Sequence, residues 1–262
     1  MPRVTVLLPS YMPDCAYMLE CLAGLDAQTF RDFEVLLVDE SKPEMHEFLK
    51  SQLTSFPLRV LKPPQRLGVA GSLNYGIANS ASEFIARHDI DDICDPERLA
   101  KQVAYLDANP QTSAVGSWTM KIGASSEKLG VRQFPSDPRD VRRQSAFWNP
   151  FCHSAMMLRR GFFETYGVYG KFENEDYELW LRALARGAVM VNLPEPLVLY
   201  RIETHVAKPR PRHWRELYKL RRSYLGWDHL PLRLASLALT GMAALTPPRL
   251  FDYIYWTFNR LR

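Results

Sequence analysis

Residues 83–92 have the sequence EFIARHDIDD, in which a run of strand-forming residues leads directly into three aspartates. Asp95 follows closely, and Pro96-Glu97-Arg98-Leu99 predicts the first turn of a helix. In an open α/β sheet, ligands bind at the carboxyl ends of the strands. Clustered carboxylates repel one another unless a cation offsets their charge, and a divalent metal does so well. The stretch therefore predicts a metal-bridged phosphate site, with a helix cap beside a solvated acidic turn as the alternative.

Strand and helix patterns alternate through the first hundred residues around this stretch. The predicted strands are 4–8, 33–38, 58–61 and 84–88, and the predicted helices are 16–27, 43–53, 68–80 and 97–108. Such alternation predicts an α/β fold, a single Rossmann-like three-layer α/β/α domain with a mostly parallel central sheet.

The regular alternation stops after residue 108. The second half has predicted strands at 114–122, 152–159, 189–193 and 197–201, a loop at 123–138 and a helix at 175–186. Further helices are predicted at 213–225 and 230–245. We expect residues 1–110 and 111–205 to form two halves of one domain, and residues 206–262 to form a tail of basic amphipathic helices.

Composition narrows the class of protein. The chain has 262 residues, of which 47% are hydrophobic and 24% charged, as is typical of a globular protein. Its four cysteines lack the spacing of a zinc site, which indicates free thiols in a reducing compartment. No uncharged apolar run reaches the roughly 18 residues that a membrane span needs, and the N-terminus lacks a secretory pattern. We expect a cytoplasmic protein.

The charge is unevenly distributed along the chain. Residues 206–262 contain 11 Lys or Arg and 3 Asp or Glu, so they carry +8; because the whole chain carries +4, residues 1–205 carry −4. Aromatic residues lie beside arginines in the tail, which favours peripheral contact with anionic lipid at the inner face of a membrane. A helical pair that covers the core or forms a dimer is the alternative, and nucleic acid is not an expected partner.

Six segments follow one another in an order that carries a resemblance. They are VTVLLPSY (4–11), LECL with QTF (19–22 and 28–30), EVLLVDE (34–40), GVAGSLNYGI (68–77), DIDD with PERL (89–92 and 96–99) and EDYELWLR (175–182). Over residues 3–205 this ordered set resembles the family 2 glycosyltransferases of the GT-A fold. The resemblance implies inverting transfer from a nucleotide-diphosphate sugar, expected to be a UDP-sugar. The expected acceptor is a glycan or a lipid-linked molecule in cell-surface polysaccharide synthesis.

The resemblance also implies a divalent cofactor, Mn²⁺ or Mg²⁺. Asp91 is then the leading metal ligand, and Asp89 contacts the metal or the donor ribose. Asp92 is the least certain member, because it could instead cap the helix that begins near Pro96.

Several other positions match donor-binding residues of the family. Asp39 corresponds to an acid that recognises the nucleotide base, and Arg201 could pair with the diphosphate through two N–H groups. The remaining matches lie in the first loop and ahead of Gly68: Pro9, Ser10, Tyr11 and Arg66.

The Glu175-Asp176 pair corresponds to the acids that activate the acceptor. Inversion requires a base opposite the leaving group, and we assign Asp176 to this role and Glu175 as the second choice. Ordinary stabilisation of a helix N-terminus is the alternative for both. His153 and Trp180 are candidates for the acceptor or metal side, with a structural histidine and a core tryptophan as the alternatives.

Two rival functions differ from glycosyl transfer. A sugar nucleotidyltransferase usually has a basic, glycine-rich loop after its first strand, whereas this chain has PSYMP at 9–13. A non-catalytic glycan- or nucleotide-binding protein on a GT-A fold would not need both a metal cluster and a base.

Overall fold

The computed structural model describes residues 1–202, 211–226 and 228–246. In this part of the chain the first half contains strands β1 (Val4–Ser10), β2 (Phe33–Asp39), β3 (Leu58–Leu61), β4 (Phe84–Arg87) and the two-residue β5 (Ile93–Cys94). Helices α1 (Cys15–Asp26), α2 (Pro43–Lys50), α3 (Gly68–Ala78) and α4 (Arg98–Ala108) separate or follow these strands. The predicted alternation is therefore confirmed.

The second half contributes strands β6 (Ala114–Ile122), β7 (Lys128–Arg132), β8 (Met157–Arg159) and β9 (Met190–Arg201). Its helices are α5 (Pro138–Gln144), α6 (Arg160–Tyr166) and α7 (Glu175–Ala185), with a 3₁₀ turn at His153–Ala155. Helices α8 (Pro211–Ser223) and α9 (Leu230–Leu245) end the described chain. Residues 203–210, 227 and 247–262 of the predicted tail lie outside the described residues.

One sheet connects the two halves, in the strand order β3-β2-β1-β4-β8-β6-β9-β5, with β7 paired to β6. Strands β1 to β4 pair in parallel, as do β6 and β9, whereas β8, β7 and β5 pair antiparallel to their neighbours. This arrangement places the carboxyl ends of β1, β2 and β4 along one edge, where ligands of open α/β sheets bind.

The sheet is covered on both faces, which confirms the three-layer prediction. Successive residues of β1 alternate between two hydrophobic clusters: Val6 and Leu8 belong to one, Leu7 to the other. The first cluster includes α1, α2 and α4, and the second includes α3, α6 and α7. Helix α3 lies so close to β1 that a Cβ at Gly76 would come within 2.1 Å of Leu7 Cδ1.

Three local predictions for the second half were wrong. The segment 123–138, expected to be a loop, contains β7 and leads into α5. The sequence did not predict β7 because its residues are mostly exposed and show no alternation of buried and exposed positions. The strand expected at 152–159 is a 3₁₀ turn followed by three strand residues. The pieces at 189–193 and 197–201 form the single strand β9, which keeps its pairing with β6 through a register shift near its prolines.

Candidate active site

The acidic cluster begins directly after β4. Asp89 forms an ion pair with the buried guanidinium of Arg87, the last residue of that strand. Asp91 is half-buried, and burial raises the pKa of its carboxyl, as does the nearby charge of Asp89. Two carboxylates in this position favour binding of a cation. A nearby positive charge stabilises their charged forms and so offsets both the cost of burial and the repulsion between them.

Asp92 has a different role from its two neighbours. It is buried, its Oδ1 accepts a hydrogen bond of 2.8 Å from the backbone N–H of Arg201, and burial holds its pKa well above the usual range. The alternative in which Asp92 caps the next helix is wrong, because Asp95 accepts the N–H of Glu97 beside that helix instead. Asp92 therefore joins the acidic loop to the end of β9.

The loop after β1 lies beside the cluster. The Arg66 guanidinium stacks on the ring of Tyr11, with 3.9 Å between Cζ and the ring centroid. A cavity of about 230 Å³ is lined by Pro9, Ser10, Tyr11, Arg66 and Asp89. Five of the predicted donor-side residues thus share one concave site.

A second cavity, of about 490 Å³, lies on the other side of Tyr11. Asp91, Tyr17 and Arg201 contribute to its lining. Because Tyr11 lines both cavities, the two form neighbouring parts of one cleft with the acidic cluster along it.

Asp39 does not face this cleft. Its side chain is 0% exposed; Oδ1 accepts the N–H of Ser41 at 3.1 Å and Oδ2 lies 3.0 Å from His46 Nδ1. In this structure both carboxylate oxygens are engaged and hold the loop between β2 and α2. Contact of Asp39 with the nucleotide base stays a prediction.

Glu40 is a residue that the sequence analysis missed. Its carboxylate accepts the backbone N–H groups of Leu67 and Gly68 at 3.0 and 3.2 Å, and it also contacts the Ser72 hydroxyl. These N–H groups lie at the start of α3 and have no partner within the helix. Glu40 thus fixes the start of α3 beside Arg66. The signal in the sequence that could have indicated this role is an acidic residue directly after a strand.

Arg201 borders the second cavity, and its side chain is only 3% exposed. The ring of Tyr17 lies 3.9 Å from its Cζ. Direct contact with the diphosphate stays a prediction, while in this structure every guanidinium nitrogen donates within the protein. The acceptors are the carbonyls of Asp91, Gly123 and Ala124 and the side chains of Glu20 and Ser126.

Glu175 and Asp176 open helix α7, as predicted. Burial raises the pKa of both carboxyls above their usual range. Asn149 Nδ2 donates a hydrogen bond of 2.6 Å to Asp176 Oδ2, which favours the charged form. Asn149 was not identified from the sequence, since it lies in an irregular segment with no motif.

Arg87 connects the two acidic groups electrostatically. Its positive charge lowers the pKa of Glu175 and of Asp176, and Asp89 acts on Glu175 in the opposite direction. The acids after β4 and those at the start of α7 therefore lie close enough to interact, although 86 positions separate Asp89 and Glu175 in the sequence.

His153 and Trp180 are packing residues in this structure. Trp180 is 0% exposed and contacts the rings of Phe151 and Phe162, so the expectation that it stacks on a sugar is wrong. His153 Nε2 lies 2.9 Å from the Tyr169 hydroxyl, and burial lowers the pKa of His153 well below its usual value. The ring is therefore neutral near pH 7, and its surroundings fit the alternative of a structural histidine.

A cleft with carboxylates at the strand ends and a second, half-buried carboxylate pair suits the transfer of a group from a nucleotide diphosphate. The model of "Glycosyl transferase family 2" matches residues 5–167. The chain belongs to this family and is a glycosyltransferase.

Curated relatives extend the match over nearly the whole chain. An uncharacterised glycosyltransferase of Haemophilus influenzae is 30% identical over 98% of this chain and 99% of its own length. The amylovoran biosynthesis glycosyltransferase AmsE of Erwinia amylovora is 28% identical over 96% and 97%. A UDP-Gal:alpha-D-GlcNAc-diphosphoundecaprenol beta-1,3-galactosyltransferase of Escherichia coli is 24% identical over 80% and 78%.

Solved structures share the fold at lower sequence identity. Residues 1–349 of S. aureus TarS in complex with UDP-GlcNAc superpose with a TM-score of 0.72 and 17% identity, over 92% of this chain and 73% of that one. The mannosyltransferase PcManGT of Pyrobaculum calidifontis, in complex with GDP-Man and Mn²⁺, superposes with a TM-score of 0.60 and 19% identity. The superposition covers 99% of this chain and 80% of PcManGT. The chain therefore has the GT-A fold that the sequence analysis predicted.

Proposed function

We propose that this protein moves a sugar from a UDP-sugar, with inversion, to a glycan or lipid-linked acceptor in cell-surface polysaccharide synthesis. The observation that carries the proposal is the coupling of Asp176, a half-buried carboxylate held by Asn149, to the acidic cluster through Arg87. The names of the amylovoran and undecaprenol-linked relatives support the acceptor class. In this account residues 1–110 bind the donor and residues 111–205 bind the acceptor.

Asp176 supplies the base in the proposed reaction. Its carboxylate accepts the proton of an acceptor hydroxyl. The oxygen of that hydroxyl forms a bond to the anomeric carbon of the donor sugar. The bond from that carbon to the phosphate oxygen breaks, and the nucleoside diphosphate leaves with the electron pair. Burial of Asp176 supports this role, because a raised pKa makes the carboxylate a better proton acceptor.

Asp91 and Asp89 are the residues that would hold Mn²⁺ or Mg²⁺. Within residues 1–202, 211–226 and 228–246, no group of three His, Cys, Asp or Glu side chains is arranged to bind a metal. Two carboxylates still fit, because Mg²⁺ sites of this kind use one or two carboxylates and complete the shell with substrate phosphates and water. When bound, the metal neutralises charge on the departing diphosphate.

The surfaces of α8 and α9 support contact of the protein with the inner face of a membrane. Arg215, Lys219 and Arg222 are exposed at helical spacing on α8, and large apolar side chains are exposed on α9. Basic and apolar surface together suit anionic lipid. In the described chain, no helix has the length and apolarity of a membrane span.

Co-sedimentation with anionic vesicles tests this contact. We expect binding that weakens when Arg215, Lys219 and Arg222 are replaced together by Gln. Equal binding of the variant and the unmodified protein would exclude the basic face of α8 as the surface that contacts the membrane.

A panel of nucleotide sugars with and without Mn²⁺ tests the donor assignment. The preferred donor should raise the melting temperature in the presence of Mn²⁺, since ligand at 100 times its Kd stabilises a protein by about 2.7 kcal/mol. Asp91→Asn should lose the Mn²⁺-dependent part, whereas the exposed Asp140→Asn should retain it. If no nucleotide sugar stabilises the protein, or if Asp91→Asn responds like wild type, the donor and metal assignments are wrong.

A further inference from the structure

A third cavity, of about 400 Å³, lies next to Asp176. Asn149 and Asp176 form its polar end, and the segment before β8 and helices α8 and α9 form its walls. Most of the wall is apolar or aromatic, and it includes Trp148, Trp214, Leu217, Leu239 and Ala243. The base therefore borders an apolar cavity that is separate from the two cavities around Tyr11.

Helix α9 has an unusual orientation. Its polar and small residues are buried against the protein, and its large apolar residues are exposed. The buried set is Arg233, Ser236, Thr240 and Ala244, and the exposed set includes Leu232, Leu234, Leu239, Met242 and Leu245. An apolar helix face of this size on the surface indicates an interaction site.

Leu239 belongs to both surfaces. It lines the cavity beside Asp176, and 55% of its surface is exposed. The apolar wall of the cavity therefore continues onto the exposed face of α9. A chain that starts at the cavity can follow apolar side chains outward.

A basic residue and an aromatic residue also border the cavity. Arg221 and His213 line the cavity, and Arg221 is anchored by hydrogen bonds to the carbonyl of Phe147 and to Thr240 Oγ1. A fixed guanidinium suits a phosphate group. Trp148, 67% exposed at the rim, offers an aromatic surface to a sugar ring.

We propose that this cavity is the acceptor site and that it binds the junction of sugar, phosphate and lipid in a lipid-linked acceptor. The acceptor sugar lies at Asp176, the phosphate at Arg221, and the lipid chain passes Leu239 and Ala243 onto the face of α9. The cavity offers a polar, a cationic and an apolar surface, one for each of the three groups of such a molecule. This inference rests on the proposed function and specifies where its acceptor binds.

Binding of alkyl phosphates tests the proposal without any turnover. Decyl phosphate and butyl phosphate, both below their critical micelle concentrations, are titrated against the full chain by calorimetry. We expect decyl phosphate to bind at least tenfold more tightly, because each additional buried methylene favours binding. Equal affinity for the two chain lengths would overturn the proposal.

Two matched tryptophan substitutions locate the site. Ala243→Trp fills the cavity, whereas Ala104→Trp makes the same substitution at an exposed position of α4, outside the cavity lining and outside α9. Ala243→Trp should weaken decyl phosphate binding at least tenfold and Ala104→Trp should leave it unchanged. If both variants bind like wild type, or if the unmodified chain is a dimer that Leu239→Ser dissociates, the cavity is not a lipid site.

Donor-induced stabilisation with Mn²⁺, measured on the same samples, separates this inference from the proposed function. Ala243→Trp should retain the wild-type response, which also shows that it is folded. Loss of chain-length dependence with an intact donor response rejects only the acceptor site. Absence of a donor response in wild type rejects the proposed function itself.

Discussion

Asn149 donates a hydrogen bond of 2.6 Å to the carboxylate of Asp176, the second residue of helix α7. Burial raises the pKa of Asp176, and this hydrogen bond opposes the increase by stabilising the charged form. Burial therefore makes the Asp176 carboxylate a better proton acceptor, and Asn149 favours its charged form.

Asn149→Ala should move the acidic limb of the kcat/KM profile to higher pH. The substitution removes a donor that favours the carboxylate, so the pKa of Asp176 rises and a higher pH is needed to deprotonate it. Initial rates of donor turnover from pH 4.5 to 8.5 provide the measurement. Asn79→Ala, at an exposed helix end, is the control. An unchanged limb in Asn149→Ala would show that Asp176 does not set the profile.

Arg201→Lys should destabilise the protein and weaken donor binding. Lysine cannot reproduce the planar set of donors that joins the Asp91 loop to the 123–126 turn. Carbonyl acceptors that lose their donors in this way cost about 1 to 3 kcal/mol. Urea unfolding measures the loss, and the exposed Arg186→Lys is the matched control. Wild-type stability with only the donor response lost would instead favour a direct contact between Arg201 and the diphosphate.

Trp180→Phe should lower stability without affecting the donor. The ring is enclosed by Phe151, His153 and Phe162, so the smaller side chain leaves space in the core and costs about 1 to 3 kcal/mol. Thermal unfolding and donor-induced stabilisation are measured together. A variant with wild-type stability and impaired sugar binding would restore the stacking role that the structure argues against.

Much of the fold could be predicted from the sequence because its signals are local. Buried strands such as Val4–Ser10 and Phe33–Asp39 have continuous apolar runs, and helix α3 begins and ends close to its predicted limits. Strand β7 lacked such a signal, since most of its side chains face solvent. The order of the motifs also identified the family.

The individual site roles depend on contacts that spacing does not encode. Arg201 is paired with Glu20, 181 positions away, and only the folded chain shows that its donors are already engaged. Trp180 occurs at a helical spacing that fits a core position and a sugar platform equally well. Asp39 follows a strand as a ligand residue would, but His46, seven residues later, is its partner.

Asp176→Asn tests the central claim most directly. The amide keeps the shape of the carboxylate but cannot accept the proton, and loss of a general base typically costs 10²- to 10⁴-fold in rate. The measurement is single-turnover transfer from the preferred nucleotide sugar to a lipid extract of the source cells, with Mn²⁺-dependent donor binding followed in parallel.

Glu173→Gln, an exposed carboxylate-to-amide change three residues away, is the control and should behave like wild type. The account predicts that Asp176→Asn binds the donor normally and transfers at least 100-fold more slowly. Transfer by Asp176→Asn at the wild-type rate would contradict it.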